Sequence, residues 1–418
     1  MTTVRERPAA PAQTGPRAAA RLIASRRFGP YFAGNALSAS GTWFQNLAAA
    51  ILVYRLTGSA FLLGVLNFAQ FLPTLVLAPW AGAAADRFDR RRLILVTQLV
   101  STAIAAALAA VTWAGEATAA VVIAASLALG VVTAFSAPAA QALIGSLVEP
   151  RELATAVGLN SMTFNVARAL GPTVAAAAIA TLGIAAAFAI NACSYLALAL
   201  GIAVVRPRRS AAARRTRFRD SLKLLRVDRR LAIALAVVAV VGFGSDPVNT
   251  LSPAFAHAFG RPDTDAGFVV GAFGAGAVTA AFVLAGGISR TRRRAAARLG
   301  LLGGGIVLFS VSPSLFVALP FLFVAGFGYL AANTSATARL QLGVDETQRG
   351  RMMALWTVAF LGLRPFASIV DGAIAGSFGV RVAGIVLALP ALTAAALFVI
   401  YARQGTDVAR EAPFRSRA

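Results

Sequence analysis

Long apolar stretches alternate with short polar breaks along this chain, and its arginines collect in the breaks. The apolar stretches run over residues 30–54, 60–84, 93–113, 117–142, 154–181, 184–205, 231–256, 265–288, 295–312, 315–341, 351–376 and 380–402. A helix needs about 20 apolar residues to cross the hydrocarbon core of a bilayer. Hydrocarbon offers no partner to backbone N–H and C=O groups, so runs of this length and composition are expected to be helices. Of the 418 residues, 58% are hydrophobic and 13% charged. A soluble domain has about 45–50% and about 25%, so the excess is too large for one core. The expected fold class is all-α and integral to the membrane, with twelve transmembrane helices, called spans one to twelve below.

The arginines orient the layout. Clusters at Arg5 to Arg27, Arg87 to Arg92, Arg206 to Arg230, Arg290 to Arg298, Arg349 with Arg351, and Arg403 to Arg417 all fall on one side of a twelve-span arrangement. The opposite loops hold little beyond Arg55, Glu116, Arg261 and Arg381. Basic loops stay in the cytoplasm, so both termini are expected there. The net charge of +23 then reads as topology and as attraction to anionic lipid headgroups; no nucleic-acid partner is expected. The first thirty residues lack the apolar core of a secretory signal. Cys193 is the single cysteine, so no intrachain disulfide is expected.

These breaks divide the chain into a cytoplasmic tail 1–29, a six-helix bundle 30–205, a basic cytoplasmic linker 206–230, a second six-helix bundle 231–402 and a cytoplasmic tail 403–418. In the linker, Phe218, Leu222 and Leu225 lie at i, i+4 and i+7. That spacing predicts a short amphipathic helix on the inner membrane surface, a solvated charged loop being the plainer reading. The halves are related. Gly130 to Glu152 matches Gly326 to Gln348 at a constant spacing of 196 residues, and Gly171-Pro172 has a counterpart in Arg364-Pro365. Two halves in parallel orientation, related by an axis along the membrane normal, follow from this.

The tight charged loop between spans two and three reads Gly82-Ala83-Ala84-Ala85-Asp86-Arg87-Phe88-Asp89-Arg90-Arg91-Arg92. It resembles the signature loop of the major facilitator superfamily. More narrowly, the chain is similar to that family's enterobactin-exporter-like, transmembrane secretion effector branch. The residues are Ser40 to Gln45, Leu52 to Ser59, Asn165-x2-Arg168-x2-Gly171-Pro172 and Arg349 to Met353. The resemblance covers about Phe28 to Arg403. It implies a major-facilitator-type fold of two pseudo-symmetric six-helix bundles, and export of siderophores, drugs or secondary metabolites from a bacterial cytoplasm. In the second-half loop Arg290 stands where the Asp would be, so the cytoplasmic latch is expected to be asymmetric.

Polar groups inside spans are costly and face a cavity or another helix. Asn35, Ser38, Thr42 and Gln45 lie on one face of span one. Helix packing by small polar groups would explain them. The family fold makes spans one, four, seven and ten the cavity liners, which favours a substrate role, together with Asn165, Asn249, Asn333 and Thr337. The ionisable residues within spans are Arg168 in span five, Asp246 in span seven, and Arg364 and Asp371 in span eleven. These are the proton-coupling candidates, with Asp246 first as the carboxyl that would alternate between charged and neutral. A structural ion pair of Arg364 with Asp246 or Asp371 is the plainer alternative, and one carboxylate can serve both ends. His257, at an outer helix end, is read as incidental.

No phosphate-binding Gly-Lys-Ser/Thr loop and no Cys/His cluster is present, so no enzyme activity, cofactor or metal is expected. The expected function is proton-coupled efflux of a small amphipathic molecule by rocking of the two halves, in a monomer. An importer or lipid transporter on the same fold is the first alternative, and a transport-inactive membrane sensor or scaffold the second. The signature loop is expected to be the cytoplasmic gate. Asp86 would dock on the positive N-terminal end of span eleven, while Arg87, Arg90 and Arg91 hold neighbouring loops and headgroups beyond the Gly82 turn.

Overall fold

The computed structural model describes residues 15–207, 228–284, 291–344 and 346–411. The expected amphipathic helix of the linker and most of the second-half loop, Gly286 to Arg290, lie outside the described residues. In chain order the helices are α1 (Pro16–Ile23), α2 (Gly29–Thr57), α3 (Ala60–Val76), α4 (Ala78–Arg87), α5 (Arg90–Trp113), α6 (Ala119–Leu147), α7 (Leu153–Leu182) and α8 (Ile184–Val204) in the first half. The second half holds α9 (Arg229–Gly244), α10 (Asp246–Thr250), α11 (Ser252–Ala258), α12 (Ala266–Leu284), α13 (Arg292–Val311), α14 (Leu315–Leu342), α15 (Glu346–Leu361), α16 (Arg364–Phe378) and α17 (Val380–Glu411). No strand occurs among the described residues.

Nine helical segments are long and apolar enough to cross a membrane, or eleven when two bent pairs are each taken as one. The expected span 30–54 is not among them, although α2 is 29 residues long. Its polar run from Asn35 to Asn46 lowers its hydropathy. The outside of the helices is apolar: Leu99, Val174, Leu200, Val317 and Leu389 are all exposed. A surface this greasy would aggregate in water, whereas lipid tails cover it at no cost.

Prolines explain where the spans depart from straight rods. A proline has no N–H to donate and its ring crowds the carbonyl four residues back. Span two bends by 55° between α3 and α4, beside Pro73 and Pro79. Span five bends by 42° between Arg168 and Leu170, just before Pro172. Span seven, expected as one helix, is broken into α9, α10 and α11, with Pro247 and Pro253 at the new helix starts. Span eleven is broken before Pro365. At the ends, the expected tail 1–29 contains α1, which starts at Pro16 and buries Leu22 in an apolar cluster that also holds Phe28, Tyr31, Leu147 and Ala156. Its Ala, Arg and Leu are strong helix formers, and proline suits the first turn.

Within the first half α2 packs on α7 and α8, α6 packs on α3 and α5, and α5 packs on α8. The second half repeats these pairings: α9 on α15 and α17, α14 on α12 and α13, and α13 on α17. The repeat of 196 residues is visible in the backbone. Gly183 and Gly379, spaced by that interval, have φ of +87° and +89° where spans five and eleven turn into the next span. L-residues other than glycine rarely adopt such angles. Gly130 of α6 presses on the Gln70 carbonyl of α3, and its repeat mate Gly326 of α14 presses on the Phe273 carbonyl of α12.

The halves meet along two broad seams, α3 against α16 and α7 against α12. Gly64 lies against the Ser368 carbonyl and the Gly372 backbone, while Gly267 lies against Pro172 and Ala176. Both contacts lie toward the face that carries the Gly58, Gly183 and Gly379 turns, opposite the arginine-rich face.

Candidate functional site

Between the seams and the arginine-rich face lies a central cavity with about 570 Å³ of empty space, counting its open mouth. Its polar lining comes from Asn46, Asn67, Gln70, Asn249, Ser252 and Arg364, and its apolar lining includes Trp43, Phe71 and Pro172. Both halves contribute, and Gln70 Nε2 donates to Asn46 Oδ1 at 2.8 Å along the first-half wall.

The structure places the expected polar face of span one elsewhere. Asn35 donates to Asn160 at 2.8 Å on α7, and Gln45 is buried and accepts from Asn191 at 2.6 Å on α8. Ser38 is buried, and Thr42 donates to its carbonyl at 2.8 Å. The face that reaches the cavity carries Trp43, Asn46, Leu47 and Ala50. Asn46 follows Gln45 by one residue, a turn of about 100° on an α-helix. A signal for the correct rotation was present. Gly34 and Gly41, spaced by seven, lie against Leu198 and Ser194 of α8, which marks that side as the packing face. Asn67, Gln70 and Ser252 were not singled out from sequence either. Asn249 does line the cavity, and its amide also donates to the Ser245 carbonyl at 2.9 Å. Asn333 and Thr337 lie half-buried on α14, with Asn333 Oδ1 lacking a partner. The side chain of Asn165 lies outside the described residues.

Three of the four ionisable candidates converge at the breaks in spans seven and eleven. Asp246 opens α10 and Arg364 opens α16. Arg364 Nε sits 3.2 Å from Asp246 Oδ1, while Ser368 and Thr250 donate to Oδ2 at 2.7 and 2.9 Å. The Asp246 side chain is 1% exposed and that of Arg364 18%. The Arg364 guanidinium also lies 4.4 Å from the centre of the Phe71 ring of α3, which ties the ion pair to the first half. Asp371, two turns beyond Arg364 on α16, is fully buried, and no donor reaches either of its oxygens. A carboxylate buried without a donor is costly to keep charged, and a bound proton removes that cost.

The fourth candidate stands apart. Arg168 sits at the bend of α7, where it donates to Tyr329 Oη at 2.6 Å and lies 4.4 Å from that ring's centre. Tyr329 belongs to α14, so this contact also bridges the halves.

The expected cytoplasmic gate is present as a loop but not as a latch between the halves. Asp86 is exposed and has no hydrogen bond or ion pair among the described residues; the expected docking on span eleven is not made in this conformation. Gly82 has open space around it, and Arg87 is exposed. The neighbouring Asp89 caps α5 by accepting from the Arg92 amide at 2.8 Å. Arg90 opens that helix, half-buried, and Arg91 donates to the Ile202 and Ala203 carbonyls at the end of α8. The second half repeats this in part: Thr291 caps α13, and Arg292 donates to the Tyr401 carbonyl within α17 at 3.1 Å, whereas Arg91 reaches a true helix end. A cation at a helix C-terminus meets the negative end of its dipole.

At the opposite face a clasp closes over the seams. Arg55 Nε and a terminal guanidinium nitrogen donate to Asp263 at 2.5 and 2.7 Å, joining the end of α2 to the loop before α12. Beside it, Tyr54 and His257 make an edge-on ring contact with centres 5.8 Å apart. Asp263 drew no attention in the sequence because it lies in a loop with no motif around it.

Residues 23–414 match the family model described as transmembrane secretion effector. The chain belongs to the transmembrane secretion effector family. Two relatives are similar to it in part. The staphyloferrin A transporter of Staphylococcus aureus is 30% identical over 173 residues, 41% of this chain and 43% of that protein. Macrolide efflux protein A of Streptococcus pyogenes is 25% identical over 234 residues, 54% of this chain and 58% of that protein. The chain thus spans about half the length of these two relatives. For the fold, a bacterial homologue of the human lysosomal transporter Spinster, solved inward-facing and unoccupied, superposes with a TM-score of 0.73. The superposition covers 93% of this chain and 98% of that one at 13% identity. The transmembrane secretion effector chain therefore has the major-facilitator fold.

Proposed function

We propose that this protein is a proton-coupled exporter of a small amphipathic molecule in a bacterial cytoplasmic membrane. It consists of bundles 30–205 and 231–402 joined by a basic linker, with both termini and the arginine-rich face in the cytoplasm. The observation that carries the reading is the carboxyl dyad of Asp246 and Asp371 beside a single arginine at two helix breaks. Asp246 is held by Arg364, Ser368 and Thr250, while Asp371 is buried with no donor to its oxygens among the described residues, a setting suited to carrying a proton. The proton carrier is thus Asp371, with Asp246 and Arg364 as its charged frame, rather than Asp246 alone. Rocking of the halves would bring water to the dyad and let the proton leave. Charge in the dyad would then favour one orientation over the other, which is the link between ion and conformation.

The seams close the face opposite the arginines, so the conformation is read as inward-facing, ready to load from the cytoplasm. The named relatives, a siderophore transporter and a macrolide efflux protein, support export over import, and the cavity's mixed lining suits an amphipathic cargo. Everted vesicles loaded with a dye that reports the internal pH test the coupling. Asp371→Asn should insert normally and bind cargo, yet lose proton-driven accumulation and release no protons with cargo. Accumulation at the wild-type rate by that variant would refute Asp371 as the carrier.

A further inference from the structure

We propose that the cargo carries a polyhydroxylated ring, a sugar or similar polyol joined to an apolar body, and that the amides of the central cavity bind its hydroxyls. This rests on the transporter reading above. Four amides line the cavity: Asn46, Asn67 and Gln70 from the first half and Asn249 from the second. Their contacts within the protein leave particular atoms unused. Asn67 Nδ2 donates to the Leu63 carbonyl at 3.2 Å, and Asn249 Nδ2 to the Ser245 carbonyl at 2.9 Å. A carbonyl accepts only from the nitrogen end of an amide. Both side-chain oxygens are therefore turned away from the backbone, and no donor among the described residues reaches them. Gln70 and Asn46 share one bond. Whichever way that pair is turned, one oxygen and one NH2 group of it stay unused. The Ser252 hydroxyl lines the same cavity, is buried, and has no partner among the described residues.

Those unused atoms choose between classes of cargo. Arg364 is the one charged residue in the lining, and Asp246 already pairs with it at 3.2 Å. An ammonium would lie beside that guanidinium. A carboxylate could use the guanidinium and the NH2 group, but it would leave three amide oxygens facing an acceptor. A purely apolar cargo would strand the oxygens and the Ser252 hydroxyl, each at the cost of an unmade hydrogen bond. A hydroxyl donates once and accepts twice, so a ring that bears several satisfies the oxygens, the NH2 group and Ser252 together. Trp43 and Phe71 line the walls beside these amides. Trp43 lies three residues before Asn46 and Phe71 four after Asn67, neighbouring positions on one helix face. They offer aromatic surface to the C–H face of the ring and to the apolar body. The Arg364 guanidinium lies 4.4 Å from the centre of the Phe71 ring and backs it. Asn67 and Asn249 stand on opposite halves, so a ring bonded to both is held by both.

The test is a set of methylcoumarin ethers that share one fluorophore and differ in the group on its ether oxygen: β-glucosyl, ethyl, carboxymethyl or aminoethyl. Each is titrated by fluorescence anisotropy against the full-length protein in lipid nanodiscs, with the signal of empty nanodiscs subtracted. The wild type should bind the glucoside about tenfold tighter than the ethyl ether, and tighter than either charged probe. A site built to pair with hydroxyls rejects an analogue that lacks them, because its own polar groups are then left unpaired. Asn67→Leu and Asn249→Leu, close in volume, should each cut that preference about threefold to fivefold by weakening the glucoside alone, the worth of one hydrogen bond. Ser252→Ala removes a hydroxyl with no protein partner, so it should leave the thermal stability unchanged and still weaken the glucoside about threefold. Amides and a hydroxyl that only pack their helices would leave the ratio of the two probes unchanged in all three variants, which overturns the proposal. So does a wild type that binds none of the probes, or that prefers the ethyl ether or a charged probe. A glucoside preference without proton movement in vesicles would instead sink the coupling reading and leave this one standing; proton-coupled export of the carboxymethyl probe without that preference would do the reverse.

Discussion

Cutting the outer clasp should tilt the conformational equilibrium by a calculable amount. Asp263→Asn removes the charge that Arg55 grips in two bonds and leaves the side-chain volume unchanged. Exposed ion pairs contribute about 0.2–1 kcal/mol. Here Arg55 is 47% exposed but Asp263 only 15%, and the pairing is bidentate, so the upper end, about 1 kcal/mol, is appropriate. At about 1.4 kcal/mol per tenfold, the ratio of closed to open outer face should fall about fivefold. Spin labels at Thr181 and Ser377, both exposed at the outer ends of α7 and α16, would read that ratio as two distances by double electron–electron resonance. Cys193, which is exposed and free, must first be replaced by serine. Salt supplies an internal control, because the screening length shrinks from about 10 Å at 0.1 M to about 3 Å at 1 M. High salt should move the wild type toward the variant and leave the variant where it is. Exchanging the charges, Arg55→Asp with Asp263→Arg, should restore the closed population. An unchanged distance distribution in Asp263→Asn at low salt would refute the clasp.

Two further outcomes follow from the geometry. A double-mutant cycle of Asp246→Asn and Arg364→Gln, read as thermal stability in detergent, should show strong coupling: either single change strands a buried partner, at about 3–5 kcal/mol, and the double change costs less than the sum. Gly183→Ala and Gly379→Ala should each cost about 1–2 kcal/mol, because both force an alanine to positive φ; the losses should match each other and add.

The sequence made most of the spans legible, nine to eleven of the twelve expected, because a span depends on composition along the chain, which needs no tertiary knowledge. It also singled out Asp246, Arg364, Asp371 and Arg168, since an ionised group in an apolar run has no trivial explanation. Rotation of α2 about its own axis was not legible by polarity alone: Gln45 satisfies another helix and Asn46 the cavity, and both are amides. Glycine spacing separates them, because close backbone approach to α8 at Gly34 and Gly41 defines the packed side. The breaks in spans seven and eleven were marked by Pro247, Pro253 and Pro365, yet proline is common enough in membrane helices that a break is only one outcome. Asp263 depends on a loop finding Arg55 across the two halves, a pairing of residues 208 apart. Nothing in the local sequence encodes it. Asp86 is exposed in the arrangement described, and its expected docking on span eleven is not made there.

The seams themselves bear on how the membrane stays electrically tight. Gly64 faces the Ser368 carbonyl and Gly372, and Gly267 faces Pro172 and Ala176, so main chain rests on main chain with no long side chain between. Close backbone contact at these two points disfavours a file of water, the wire along which protons or ions would run down a membrane potential. Larger side chains at Gly64 or Gly267 would wedge the joint apart and risk turning the proposed transporter into a leak.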